Sequence, residues 1–282
     1  MNTYTPRRSQ AGSQSTRVYR NGIRKQTDLR HRTGDFALIG DIHGCWHTLL
    51  NLIEHLGGED GVAPEGLTLV SVGDLHDKGG IIGVEHNEGP SSSGAVNVLR
   101  WALREHDSGR LEVVDSNHGR SLVRRIAEGT PARRDKNRSV EVTLADIHAQ
   151  ADRDVILPKV KDFLSNRPPF LRLSAGPTGE LIVAHAAATE RLLNADTLRR
   201  GEYDYHLYTE EDFRWTGRQT VVTGHVTVPH PTRINQTPVS GIAPGNVLRI
   251  DTGVDDGGGL TAYLPHLDDF VTVPTDPRDL RK

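Results

Sequence analysis

Five short polar motifs, each at the end of an apolar run, contain the side chains best suited to chemistry. The motifs are Gly40-Asp41-Ile42-His43-Gly44, Gly73-Asp74-Leu75-His76-Asp77-Lys78-Gly79, Ser116-Asn117-His118-Gly119, Ala184-His185-Ala186 and Gly224-His225-Val226. The candidate ligands that they supply are two Asp, one Asn and three His, namely Asp41, His43, Asp74, Asn117, His185 and His225. Oxygen and imidazole donors in this mixture suit a pair of divalent ions such as Mn, Fe or Zn.

The apolar runs before these motifs predict short buried strands, at residues 37–39, 67–72, 111–114, 181–184 and 220–222. Each motif alone is a weak signal, because a Gly-Asp pair usually marks a turn and a single His is usually structural. Their recurrence after five successive strands is stronger, since α/β proteins place their sites where strands leave a sheet. The pattern therefore predicts one metal centre at a sheet edge.

The order of the motifs resembles that of the calcineurin-like metallophosphoesterases with the phosphoprotein-phosphatase type of motif set. That family reads Gly-Asp-x-His-Gly, Gly-Asp-x-x-Asp-Arg-Gly, Gly-Asn-His, a strand-end His and Gly-His, and the resemblance covers about residues 36–273. Within the family the chain is most similar to two bacterial branches. One is the phosphatase module of bacterial polynucleotide kinase-phosphatase, and the other comprises stand-alone bis(5'-nucleosyl)-tetraphosphatase-like enzymes. Cys45 directly after Gly44 and the run at residues 249–253 are local likenesses.

The resemblance implies an α/β fold: a four-layer metallophosphoesterase β-sandwich flanked by helices, with a small helical cap insert. It also implies a dinuclear centre in which Asp74 bridges two divalent ions, since a carboxylate has two oxygens. Asp41 and His43 would bind one ion. Asn117, His185 and His225 would complete the other. We expect Mn, with Fe, Zn or Ni as alternatives.

The resemblance also suggests roles for residues beside the ligands. His118 follows a ligand and is the candidate general acid for the leaving oxygen, with Asp77 as the partner that holds its imidazole. Lys78 is the candidate contact to the substrate phosphate. We expect Asp251 to hold a ligand histidine in one tautomer, with direct ligation as the alternative. His76 is expected to be a loop side chain rather than a seventh ligand.

The chain departs from the family motifs at two positions. Lys78 stands where the family has Arg, and Lys offers a point charge instead of a bidentate fork. Ser116 replaces the usual Gly before Asn-His, so that loop is expected to differ. A second phosphate-binding Arg has no clean match, and the candidates are Arg214, Arg218 and Arg233.

The implied activity is hydrolysis of phosphomonoesters, or of nucleotide or nucleic-acid phosphates, by attack of a metal-bound hydroxide. One alternative within enzymes is a Ser/Thr protein phosphatase. An alternative of another class is a metal-free binding scaffold on the same fold, although such a scaffold would not need six metal ligands. The motifs leave the physiological substrate and the metals open.

Composition and charge predict a domain organisation. Residues 1–34 carry eight Lys or Arg and one Asp, and predict a disordered basic tail that could contact nucleic acid. Residues 35–275 would form the metallophosphoesterase domain, with the cap-like insert at about 120–167, and residues 276–282 a flexible C-terminus. No apolar run approaches the roughly 18 residues of a membrane span. Cys45 is the only cysteine, so a reducing cytoplasm is expected.

The remaining periodicity predicts the elements that must position the motifs. Helical spacing indicates helices at residues 45–56, about 93–106, 120–128, 140–149 and 156–165. Further strands are predicted at 170–173, 247–250, 260–263 and 270–273. Residues 80–89 are predicted to be an insertion after the second motif.

Overall fold

The computed structural model describes residues 27–30, 34–77, 93–129, 139–175, 179–188, 219–235 and 246–280. Its strands are β1 Thr27–Asp28, β2 Asp35–Ile39, β3 Leu67–Ser71, β4 Leu111–Val113, β5 Phe170–Ala175, β6 Gly179–Ala184, β7 Thr220–Thr223, β8 Thr232–Asn235, β9 Asn246–Arg249, β10 Leu260–Leu264 and β11 Asp269–Val273. Its helices are α1 Trp46–His55, α2 Gly94–Asp107, α3 Asn117–Glu128, α4 Ser139–His148 and α5 Arg153–Ser165. The predicted insertion at 80–89 lies outside the described residues.

The strands form two mixed sheets. One has six strands in the order β1-β5-β6-β7-β9-β8, and the other has five in the order β11-β10-β2-β3-β4. In each sheet three neighbouring strands are parallel, β2-β3-β4 in one and β6-β7-β9 in the other. The first three motifs follow the first triplet, and the His185 and His225 motifs follow β6 and β7. The carboxyl ends of parallel strands share one edge of a sheet, so this topology gathers the motifs.

The sheets pack face to face through an apolar core that takes side chains from both. Leu38 and Val70 of the five-stranded sheet share one buried cluster with Leu171, Val183 and Leu248 of the six-stranded sheet. A second cluster lies on the outer face of the five-stranded sheet, which the helices cover: α1 contacts β10 and β11, and α2 contacts β4. The predicted mixed α/β sandwich flanked by helices is confirmed.

The described elements follow the sequence predictions closely, because the apolar periodicity reflects which faces are buried. Ser93 caps α2, its hydroxyl accepting from the Val96 amide. α3 begins three residues earlier than the predicted start at 120, since Ser116 is its N-cap and accepts from the Gly119 amide. β8 was not predicted.

Both ends of the predicted domain differ from the expectation of flexible segments. Thr27 and Asp28 lie within the predicted tail, yet they pair with β5, and Leu29 is buried. Residues 276–280 were predicted to be flexible, yet Asp279 is buried and its carboxylate accepts from the Thr48 amide. In both cases a tertiary partner far along the chain orders the segment, which composition does not reveal. Residues 1–26 lie outside the described residues, and the remaining domain boundaries stay predictions.

Among the residues that the structure describes, no helix combines the length and the apolar character needed to cross a bilayer.

Candidate metal centre

Asp74 lies at the centre of the site, and imidazoles from several motifs converge on its carboxylate. Its Oδ2 is 3.8 Å from His43 Nε2, 3.8 Å from His118 Nε2 and 3.6 Å from His185 Nε2. Two groups of donor atoms are close enough to share an ion: His43, Asp74 and His118, and Asp74, His185 and His225. Asp74 belongs to both groups, as a ligand that bridges two ions must.

These distances fit divalent ions. Separations of 3.6–3.8 Å between nitrogen and oxygen are too long for hydrogen bonds. Two donors that each lie about 2.1 Å from one ion can be no more than about 4.2 Å apart. Asp74 is 2 % exposed and His185 is 0 % exposed, so water cannot readily separate them. The spacing of these donors therefore suits ligands that share a cation better than hydrogen-bond partners of one another.

Burial alone would raise the pKa of Asp74, but the surrounding imidazoles of His185, His118 and His43 hold that pKa well below its usual range. A hydrogen bond from Ser116 acts in the same direction. Asp74 is therefore an ionised carboxylate at neutral pH, as a metal ligand must be.

The backbone at the site is unusual. Among the described residues, six non-glycine residues have positive φ, and four of them are His43 (49°), Asp74 (38°), Asp77 (74°) and His225 (66°). Such conformations cost about 1–3 kcal/mol each and persist where the surroundings enforce them. Their concentration in the motif loops marks these loops as the functional region.

Gly224, directly before His225, must be glycine for steric reasons. A Cβ there would lie 1.9 Å from Asp41 Oδ1 and 2.6 Å from a methyl group of Val72. This close approach lets the His225 amide donate to Asp41 Oδ2 at 3.1 Å. The first and fifth motifs, from different sheets, are thereby joined through the carboxylate of a predicted ligand.

Backbone carbonyls orient two of the predicted ligand histidines. His185 Nδ1 is 2.9 Å from the carbonyl oxygen of Val72, and His43 Nδ1 is 3.3 Å from that of His76. A carbonyl can only accept, so each Nδ1 carries the proton and each Nε2 presents a lone pair to the site. His185 Nε2 is also 2.9 Å from Asn117 Oδ1, so the Asn117 side chain reaches the same group of ligands.

Asp77 and His118 form the predicted pair, with His118 Nδ1 2.7 Å from Asp77 Oδ2. Two further groups contact the other oxygen: His76 Nδ1 at 2.8 Å and the Thr143 hydroxyl at 2.5 Å. Burial would raise the pKa of Asp77, but the His76 imidazole and the hydrogen bond from His118 hold that pKa well below its usual range. Asp77 is thus a buried carboxylate that accepts from both imidazoles.

The loop before α3 is held by groups that the motifs did not indicate. Asp115 accepts from the Ser116 amide and forms an ion pair with Arg120, and its own amide donates to the Pro168 carbonyl. Burial raises the pKa of Asp115 to about 7, although Arg120 opposes that rise. This network and the Ser116 cap fix the start of α3, where Asn117 and His118 lie.

Asp251 follows β9 and is buried. Its Oδ2 accepts from the Thr227 hydroxyl at 3.2 Å and its Oδ1 from the Gly253 amide at 3.0 Å. Thr227 is two residues after His225, so Asp251 supports the loop of the fifth motif. Its predicted contact with a ligand histidine stays a prediction.

Several predicted or considered residues lie away from the centre or outside the described residues. Lys78, Arg214 and Arg218 are outside the described residues. Arg233 is on β8 and forms an ion pair with Asp268. His76 lies in the loop of the second motif, where it is 0 % exposed and bonded to Asp77.

Sequence reasoning did not predict that Thr143 and His76 contact Asp77. Thr143 falls at helical spacing among apolar residues of α4, and a lone hydroxyl on such a face is a signal that can be recognised. Its partner, Asp77, could not be inferred, because the two residues are 66 positions apart.

None of the protein-family models matches the chain. The chain is 29% identical over 254 residues to bis(5'-nucleosyl)-tetraphosphatase PrpE (asymmetrical) of Bacillus velezensis, covering 81% of this chain and 88% of the relative. It is 28% identical over 267 residues to the protein of the same name from Bacillus subtilis, covering 85% of this chain and 94% of that relative.

Solved structures support the fold. A crystal structure of a "putative diadenosine tetraphosphatase" matches with a TM-score of 0.57 at 23% identity, over 90% of this chain and 99% of the other. A serine/threonine phosphatase from Saccharomyces cerevisiae with similarity to human PP5 matches with a TM-score of 0.53 at 13% identity, over 93% of this chain and 86% of the other.

Proposed function

We propose that this calcineurin-like metallophosphoesterase acts on nucleotides, with a dinucleoside tetraphosphate as the first candidate substrate. The observation that carries this proposal is the end-to-end similarity to relatives named bis(5'-nucleosyl)-tetraphosphatase, which extends over 88% and 94% of their lengths. Four of the six predicted ligands, His43, Asp74, His185 and His225, lie in the two groups of donor atoms that are close enough to share an ion, and this supports a metal-dependent reaction. We propose Mn as the ion and the cytoplasm as the location.

Two divalent ions held by these residues supply positive charge for the phosphoryl oxygens and a nucleophile at neutral pH. Only Asp41 and Asp74 among the six ligands are anionic. Two divalent ions carry four positive charges, and the two carboxylates cancel about two of them. The remaining charge of about +2 favours binding of a phosphate dianion.

His118 has the acid role in this proposal. Its Nδ1–H is held by Asp77 at 2.7 Å, and the side chain is 20 % exposed, in contrast to the fully buried His185. Nε2 is thus available to give a proton to the leaving oxygen of the substrate. Lys78, directly after Asp77, is proposed to contact a phosphate oxygen as a point charge.

Two alternatives have weaker support. The likeness to the serine/threonine phosphatase, at 13% identity, concerns the fold alone. A metal-free binding scaffold would have no need for four buried or half-buried histidines converging on Asp74.

The test is incubation of the purified full chain with diadenosine tetraphosphate and Mn, with the products separated by chromatography. Asymmetrical cleavage gives ATP and AMP, whereas symmetrical cleavage gives two ADP. We expect asymmetrical products, no turnover after chelation, and recovery on addition of Mn.

A parallel panel separates the substrate class from the chemistry. It contains p-nitrophenyl phosphate, oligonucleotides with 3'-phosphate or 2',3'-cyclic ends, and a phosphothreonine peptide. Turnover of p-nitrophenyl phosphate without any nucleotide would contradict the proposed substrate class. Full activity in the chelated protein would contradict the metal-dependent mechanism.

A further inference from the structure

Helix α4 of the predicted cap insert brings one hydroxyl onto an otherwise apolar inward face. Val140, Leu144 and Ile147 of this face are buried in the core beside the five-stranded sheet. Thr143 lies at the same helical spacing and is 1 % exposed. A buried hydroxyl among apolar side chains needs a partner, and here the partner is Asp77 Oδ1 at 2.5 Å.

The Asp77 carboxylate accepts at both oxygens. Oδ1 accepts from Thr143 and, at 2.8 Å, from His76 Nδ1, which leaves Oδ2 for His118 Nδ1 at 2.7 Å. His76 Nε2 is buried without a hydrogen-bond partner among the described residues, so Asp77 is the group that orients this ring. With Oδ1 held from two sides, the carboxylate cannot rotate without losing hydrogen bonds.

Helix α4 also contacts α3, the helix that carries His118. His118 is in the first turn of α3, and Arg125 two turns later pairs with Glu141 of α4. Glu141 and Thr143 thus connect α4 to α3 and to Asp77. The contacts form a closed ring: Asp77, His118, α3, Arg125, Glu141, α4, Thr143 and Asp77 again.

We propose that Thr143 and His76 are positioning residues that fix the Asp77 carboxylate so that His118 presents Nε2 to the leaving oxygen of the substrate. The proposal rests on the acid role of His118 in the proposed function. Removing either donor leaves Oδ1 with one hydrogen bond instead of two, so the carboxylate turns away from His118 more easily. The imidazole loses its fixed direction, and proton donation becomes less efficient.

The experiment compares Thr143→Val, which keeps the shape but loses the hydroxyl, with Thr143→Ser, which keeps the hydroxyl. Two substrates are used, p-nitrophenyl phosphate with a good leaving group and phenyl phosphate with a poor one. Thr143→Val should lower kcat for phenyl phosphate by roughly 3- to 30-fold, part of the roughly 10²–10⁴-fold that a general acid contributes. For p-nitrophenyl phosphate the loss of kcat in Thr143→Val should be smaller. In Thr143→Ser, kcat for both substrates should remain within about twofold of the wild-type value.

Ile147→Val is the structural control, because it weakens the same face of α4 without contacting Asp77. It should lower the melting temperature and leave the ratio of the two rates unchanged. Thr143→Val placed on a His118→Ala background should cause no further loss, since the group that it positions is already gone. Equal losses for both substrates, or a full additional loss on that background, would overturn the proposal.

His76 is tested in the same way. His76→Asn keeps an N–H donor near the position of Nδ1, and His76→Leu removes it. His76→Asn should retain more activity on phenyl phosphate than His76→Leu retains. Equal behaviour of the two variants would remove His76 from the proposal.

A second readout does not depend on activity. In histidine-labelled protein, the Nδ1–H resonance of His118 reports its hydrogen bond to Asp77 by NMR. It should shift in Thr143→Val and stay in place in Ile147→Val, and an unchanged resonance in both would overturn the positioning role. If the wild type hydrolyses no phosphate ester, the proposed function fails, while this spectrum still decides whether Thr143 positions the pair.

Discussion

At the scale of single residues, His118 lies between two environments with different chemistry. Its Nδ1 is bonded to the ionised Asp77, and its Nε2 is 3.8 Å from Asp74 in the metal centre. A histidine held by a carboxylate in this way can act as a general acid or as an oriented metal ligand. The two roles differ in what its removal does to metal content.

We predict that His118→Ala keeps its metal and loses turnover. The loss of kcat should be roughly 10²–10⁴-fold for a poor leaving group and smaller for p-nitrophenyl phosphate, which needs less protonation. Metal content is measured by elemental analysis after gel filtration, and both rates are measured on the same preparation. Loss of one ion per chain would instead make His118 a ligand, and equal losses for both substrates would remove its acid role. His185→Ala is the matched control, and we expect it to lose metal.

At the scale of elements, the C-terminal residues complete the start of α1. Cys45 occupies the N-cap position of α1 and makes no side-chain cap. Asp279 supplies the missing acceptor: its carboxylate receives the amides of His47 and Thr48 at 3.2 and 2.7 Å. The first motif leads directly into this helix, so a distant segment stabilises the element that follows Asp41 and His43.

We predict that Asp279→Ala lowers the free energy of unfolding by about 1–2 kcal/mol, the usual cost of losing a helix cap. Asp279→Asn retains an acceptor oxygen and should recover part of the loss. The measurement is urea denaturation, with Asp256→Ala as a control at an exposed carboxylate. A midpoint for Asp279→Ala equal to that of the control would show that the cap contributes nothing.

At the scale of the whole molecule, the metal centre lies where the two sheets meet. Asp41, His43, Asp74 and Asn117 follow strands of the five-stranded sheet, and His185 and His225 follow strands of the six-stranded sheet. Ions bound by both sets of predicted ligands would join the two halves of the sandwich, and the free energy of metal binding would then also stabilise the fold.

We predict that Mn raises the melting temperature of the chelated chain. At an ion concentration about 100 times the dissociation constant, the gain is about 2.7 kcal/mol per site, or roughly 5–10 °C for a chain of this size. His225→Ala should lose most of this shift, and His230→Ala, an exposed histidine outside the site, should retain it. The measurement is differential scanning calorimetry across a Mn titration, and an undiminished shift in His225→Ala would contradict its role as a ligand.

The sequence by itself determined nine of the eleven described strands, the five described α-helices and the order of the motifs. These features are local: the burial of β2, β3, β6 and β7 appears as apolar runs, and the faces of α1 and α2 appear as helical spacing. Part of the convergence was also accessible, because within each sheet the strands before the motifs are parallel neighbours and their carboxyl ends share an edge. The meeting of the two edges depends on how the sheets pack and was not accessible.

Only the tertiary structure decided which side chains support the centre. Thr143 meets Asp77 across 66 positions, and Asp279 meets Thr48 across 231. Neither contact produces a periodic signal, since periodicity reports which face of an element is buried and not what it is packed against. The short β1 was missed for the same reason: two residues in a basic, polar segment become a strand because β5 offers an edge. Composition describes the segment alone, whereas its order depends on the partner that folding brings to it.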